Sequence, residues 1–169
     1  MPVEFKSTTL DNGLTILAEI DPKAQSVGAG FFVKTGARDE ETSLMGVSHY
    51  LEHMMFKGTE EISADVLNQT FDDLGASNNA LRQDDFDTEK NVIQEEIAMY
   101  ADNPFWVLYE QCVQNHYNTH GLGHRVLGTP ESIEAMQSGQ MRDYFRDRYS
   151  ADNTIVSLAG NLDFDATVD

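Results

Sequence analysis

His49, Glu52 and His53 fall in the order H-x-x-E-H. On an α-helix, side chains at i and i+4 share a face about one turn apart, and i+3 falls between them. Two imidazoles placed this way can hold one Zn2+ ion, with the carboxylate beside the position that a water would take. Histidines four residues apart also occur in cores and on surfaces with no metal between them, and the chain has five histidines among its 169 residues. The neighbouring elements must therefore supply the rest of a site.

The helix that carries the triplet is expected over about 44–57, with Ser43 as its N-cap and Gly58 as its stop. A second informative helix is expected from about Asp85 to Asp102. At 100° per residue, Phe86, Ile93, Ile97 and Tyr100 form one apolar stripe, and Glu89 and Glu96 lie inside it. Glu95 projects well away from the stripe. A carboxylate aimed at a core is costly unless it is paired or bound to a metal. Helical phase thus selects Glu96 over Glu95 as third zinc ligand, with Glu89 behind it. The competing reading is a boundary glutamate that reaches out to water. His116, His120 and His124 are also spaced by four, but Gly121 and Gly123 interrupt any helix there. Solvated loop histidines are the simpler reading of that group.

The remaining elements follow local signals. Phe5–Thr9 and Leu14–Ile20 flank Asp11-Asn12-Gly13, a hairpin turn signal, and Ser26–Lys34 reads as a third strand. Ser63 caps an expected helix over Ala64–Leu74. Asn103-Pro104 opens a helix to about Tyr117, a glycine-rich loop follows over Asn118–Thr129, and Thr129-Pro130 opens a short helix. Ser138 is expected to cap a last helix to about Arg148, before a final strand, Thr154–Ala159. Strands early, helices after and a returning strand give an α+β pattern, with helices packed on a mostly antiparallel sheet.

Composition narrows the function classes. The chain has 11 Lys and Arg against 29 Asp and Glu, a formal charge of −18. That argues against nucleic acid or an anionic membrane surface as a partner. A single cysteine, Cys112, excludes an internal disulfide framework and fits a reducing compartment; a small buried apolar role is expected for it. No apolar run reaches the length of a membrane span, so a cytoplasmic location is expected.

With these residues in place, the chain resembles the pitrilysin family of zinc peptidases, the inverzincins. The short bacterial members related to mitochondrial processing peptidase and insulin-degrading enzyme are the most similar group. The resemblance runs through Leu10-Asp11-Asn12-Gly13-Leu14, Gly36-Ala37-Arg38-Asp39-Glu40 and the block Gly46-Val47-Ser48-His49-Tyr50-Leu51-Glu52-His53-Met54-Met55-Phe56-Lys57-Gly58-Thr59. It continues in Val92-Ile93-Gln94-Glu95-Glu96-Ile97, Leu127-Gly128-Thr129 and Tyr149–Gly160. The resemblance implies one Zn2+ per chain held by His49, His53 and Glu96, Glu52 as general base, and Glu89 as a supporting glutamate. It implies a peptide or unfolded segment as substrate, added to a sheet edge near Asn79-Ala80. The family closes two halves over its substrate, so residues 1–169 correspond to an N-terminal catalytic domain that needs a second half or a partner subunit. A non-catalytic subunit of the same fold is the alternative. One departure stands out: His53 to Glu96 is 43 positions here, against roughly 75 in that family. The shortfall of roughly 30 residues falls between Ala80 and Leu81. It is either a true deletion or a stretch that the sequence skips.

Overall fold

The computed structural model describes residues 2–57, 63, 65–66 and 82–169. It divides into two compact units, Thr35–Phe145 and Met1–Lys34 with Arg146–Asp169. The first is helical and contains the H-x-x-E-H segment.

Helix α1 spans Val47–Met54 and begins later than its local signals predict. Gly46 takes a left-handed conformation at φ 94°, which separates α1 from a 3-10 turn over Thr42–Leu44. Ser43 is therefore not the cap. The buried Glu40 carboxylate takes that role, accepting from Gly46 N at 2.7 Å and Ser48 N at 2.8 Å. An anion at a helix N-terminus satisfies otherwise orphaned donors and complements the helix dipole. Gly46 has a second reason to be glycine, since a Cβ there would lie 2.7 Å from Leu127 O. Glu40→Ala is expected to cost about 2 kcal/mol or more, because it leaves two backbone donors without their charged acceptor. Urea unfolding checks this, and an unchanged midpoint would contradict it.

Helix α2, Gln83–Ala101, buries Phe86, Glu89, Ile93 and Ile97 and packs against α1. The Tyr50 ring of α1 stacks on Phe86 with centroids 4.6 Å apart, and its hydroxyl donates to Phe86 O. Burial, with Asp87 and Glu89 nearby, raises the Tyr50 pKa, so the phenol stays a donor. Helix α3, Pro104–Tyr117, is capped by Asn103, whose side chain accepts from Phe105 N at 3.1 Å. It buries none of its residues, so Cys112 is exposed rather than the buried apolar residue expected. Helix α4, Pro130–Ala135, opens on a capping box between Thr129 and Ser132. It packs on α2, where Lys90 donates to Glu134 O at 2.8 Å and Gln94 to Pro130 O at 2.9 Å. Helix α5, Ser138–Arg148, starts at the residue expected to cap it. Gln140 Oε1 reaches back to Gln137 N at 2.9 Å instead, while the Ser138 hydroxyl donates to Gln83.

The other unit is, among the described residues, a four-stranded sheet in the order β1-β2-β4-β3: Glu4–Thr9, Thr15–Ile20, Thr154–Gly160 and Val27–Val33. The turn at Asn12-Gly13 joins β1 to β2 antiparallel, with Gly13 at φ 89°. β4 enters between β2 and β3, parallel to the first and antiparallel to the second. Ile16, Ala18 and Leu158 of one sheet face form a core with Phe164 of a short helix, α6, Phe164–Val168. That helix, capped by Asp163, follows the strand expected to be last. The fold is α+β, with a mixed sheet in which two of the three pairings are antiparallel. Among the described residues no helix is long and apolar enough to cross a membrane. Most of the expected helix Ala64–Leu74 lies outside the described residues, as do Asn79, Ala80 and the Ala80–Leu81 junction.

Candidate metal centre

α1 and α2 bring three ligand-type atoms together. His49 Nε2 and His53 Nε2 are 3.2 Å apart, and each lies 3.4 Å from Glu96 Oε2. All three side chains are half-buried, and among the described residues this is the one His, Cys, Asp or Glu group so converged. Glu95, the preceding residue of α2, is exposed.

The triangle suits a zinc ion. Ligand atoms about 2.0–2.1 Å from a tetrahedral zinc stand about 3.3–3.4 Å from one another, which is the edge length seen here. The donor set, two imidazoles and a carboxylate, is a zinc set, and three protein ligands leave a fourth position open. Three lone-pair atoms facing one another also repel unless a proton or cation sits among them.

His53 is oriented from behind. Its Nδ1 is 2.8 Å from Glu89 Oε1, so Nδ1–H donates to the carboxylate and the Nε2 lone pair faces His49 and Glu96. The other Glu89 oxygen, Oε2, lies 2.5 Å from Lys57 Nζ as an ion pair, without the alignment of a hydrogen bond. Burial works to raise the Glu89 pKa, but Lys57 and His53 hold it below the ordinary carboxylate value. His49 is held below the ordinary histidine value by burial first and then by His53, against the pull of Glu96 and Glu52. The shift favours the neutral form of His49 that a metal requires. Its Nδ1 is buried with no hydrogen-bond partner among the described residues. Glu52, on the exposed side of α1 between the two histidines, reaches solvent.

A cavity of about 430 Å3 opens beside His49 and Glu96, walled by Trp106, Tyr109, Val113 and Leu127 among others. Arg125 Nε donates to Glu110 Oε2 at 2.8 Å in its lining. The sequence assigns no role to these aromatic residues, and Glu40 and Lys57 figure there only within the blocks that carry the family resemblance. The rival histidines do not converge: His116 is exposed, His120 Nδ1 accepts from Leu122 N at 3.1 Å, and His124 Nδ1 lies 2.9 Å from Ala37 O.

An α+β fold in which an H-x-x-E-H helix and a glutamate of a second helix converge is an arrangement that suits the inverzincin class of zinc peptidases. The model of the insulinase family (peptidase family M16) matches residues 15–85. A Bacillus subtilis protein described as the uncharacterized zinc protease YmxG is 32% identical over 191 residues, covering 94% of this chain and 47% of that protein. A Streptomyces coelicolor zinc protease, also uncharacterized, is 30% identical over 96% of this chain and 43% of its own length. Among solved structures, a protease from Helicobacter pylori superposes with a TM-score of 0.88 at 20% identity, over 98% of this chain and 48% of that one. A peptidase M16 inactive domain from Pseudomonas fluorescens reaches a TM-score of 0.89 at 16% identity, over 97% of this chain and 48% of that one. The chain belongs to the insulinase family of zinc peptidases, M16, the group that its motifs resemble. It spans about half the length of the curated relatives it matches.

Proposed function

We propose that the chain is the zinc-binding catalytic part of an endopeptidase that acts on peptides or unfolded segments. The observation that carries this is the triangle of His49, His53 and Glu96, whose edges of 3.2–3.4 Å suit one tetrahedral zinc. Zinc bound there would polarise a carbonyl and acidify water. Glu52 takes the proton of the attacking water and delivers it to the leaving amine. His53, held by Glu89, keeps a fixed ring orientation, and neutral His49 presents its lone pair. The cavity beside His49 and Glu96 accepts a bulky side chain of the peptide. Asn79-Ala80, proposed as the docking edge, lies outside the described residues.

The length of the relatives supports the need for a second half, in the same polypeptide or in a partner subunit. The Bacillus alignment runs over 191 residues, more than the 169 of this chain, which supports a shortfall of the kind inferred at Ala80-Leu81. A tryptic peptide running from Gly58 to Arg82 as written would establish that Ala80 and Leu81 are bonded. A cytoplasmic location remains part of the proposal, supported by the single cysteine.

The second reading is a non-catalytic subunit, favoured by the likeness to an inactive M16 domain. Elemental analysis together with turnover of an unstructured peptide by the full-length protein separates the two. One zinc per chain with turnover supports the peptidase. Zinc without turnover supports a zinc-binding subunit, and absence of zinc overturns the peptidase and leaves an assembly subunit of the same fold.

A further inference from the structure

We propose that Lys57 is a positioning residue for the metal centre, acting through Glu89 on the His53 ring. The proposal rests on the zinc reading above and adds a residue to it. Lys57 lies just past α1, with its Nζ 2.5 Å from Glu89 Oε2, while Glu89 Oε1 is 2.8 Å from His53 Nδ1. The Glu89 side chain is only 5% exposed. The last torsion of a glutamate is broad, so one hydrogen bond from His53 leaves the carboxylate free to pivot. A second contact on the opposite oxygen removes that freedom. The lysine is itself anchored: its N–H donates to Met54 O at 3.1 Å, and Arg82 Nη2 donates to its carbonyl at 2.7 Å. The line from Lys57 through Glu89 to His53 thus runs from a fixed backbone to the ring whose Nε2 forms one corner of the ligand triangle.

His49 has no comparable support, since its Nδ1 is buried without a partner among the described residues. Among the described residues the hydrogen bond that orients a ligand ring is thus the one on the His53 arm. A buried carboxylate also needs compensation for its charge, and Lys57 is the cation placed on it. Lys57→Met would keep the apolar stem and lose the ammonium. Lys57→Arg would keep a cation in reach.

The test uses the full-length protein stripped of metal and titrated with Zn2+ against a competing chromophoric chelator. Each Lys57 variant is made in the native and the Glu89→Gln background. Loss of an outer partner of a ligating histidine typically weakens metal binding about 10–100-fold. Lys57→Met is expected to fall in that range, with most of the loss recovered in Lys57→Arg. In the Glu89→Gln background, Lys57→Met should change affinity by less than about twofold, because the residue through which it acts is already neutral. Loading with Co2+ gives a second readout, since a displaced His53 ring alters the visible absorption band. If Lys57→Met does not fold, Lys57→Gln carries the same expectations. Affinity within about twofold of wild type in the native background would overturn the proposal. So would an equal loss in both backgrounds, which would mark the lysine as merely structural. A wild-type protein that takes up no Zn2+ would instead sink the zinc reading itself.

Discussion

Glu96→Gln is expected to strip zinc from the protein, whereas Glu95→Gln, one residue earlier on the same helix, should leave it loaded. Glu96 Oε2 stands 3.4 Å from both imidazole nitrogens, so it supplies one corner of the ligand triangle. An amide oxygen carries no charge and is a poor zinc ligand beside two neutral imidazoles. The loss should exceed the roughly 10–100-fold typical of removing an outer partner. Glu95 is exposed and is not part of the converged group of His49, His53 and Glu96. Elemental analysis of purified variants reads the outcome directly. A loaded Glu96→Gln with an empty Glu95→Gln would overturn the assignment. Because ligand geometry comes with folding, the loaded native protein should also melt higher than the chelated one.

Glu52→Gln is expected to keep its zinc and lose turnover. Glu52 lies on α1 between the two histidines, exposed to solvent, and its charge reaches His49. Glu52 itself lies outside the group of His49, His53 and Glu96, which leaves its carboxylate available for the general-base role proposed above. General acid–base catalysis is worth roughly 10²–10⁴-fold, and the glutamine can neither take nor return a proton. Peptide turnover by the full-length protein should fall by that factor at unchanged metal content. A variant within a few-fold of wild type would remove Glu52 from the role. A variant that also loses zinc would mean that the carboxylate supports the ligand geometry instead.

The two glutamates of α2 are legible in the sequence for one reason. Glu89 and Glu96 were singled out by helical phase, because a periodicity of 3.6 ties each to the apolar stripe of Phe86, Ile93 and Ile97. The structure buries Glu89 and those three residues, and leaves Glu95 exposed. The spacing of His49 and His53, the hairpin turn at Asn12-Gly13 and the caps at Asn103 and Thr129 are of the same kind. Each depends on residues within a turn or two of one another, so local geometry alone determines it.

What escaped the sequence depends on residues brought together from afar. α1 starts at Val47 because Glu40, outside the helix, caps it and because Gly46 packs against Leu127 and Gly128. The ion pair between Lys57 and Glu89 joins residues on separate elements, and it exists only once α1 and α2 are packed. Cys112 is exposed because α3 buries none of its face, although its apolar residues resemble those of a core helix. The placement of β4 between β2 and β3 is likewise a matter of pairing, since alternation within a strand specifies its faces but not its neighbours. Sequence alone thus determined the donor types, their helical phase and the α+β class. Only tertiary packing decided that three of the donors meet at zinc-like distances, because that distance is set between helices and not along them.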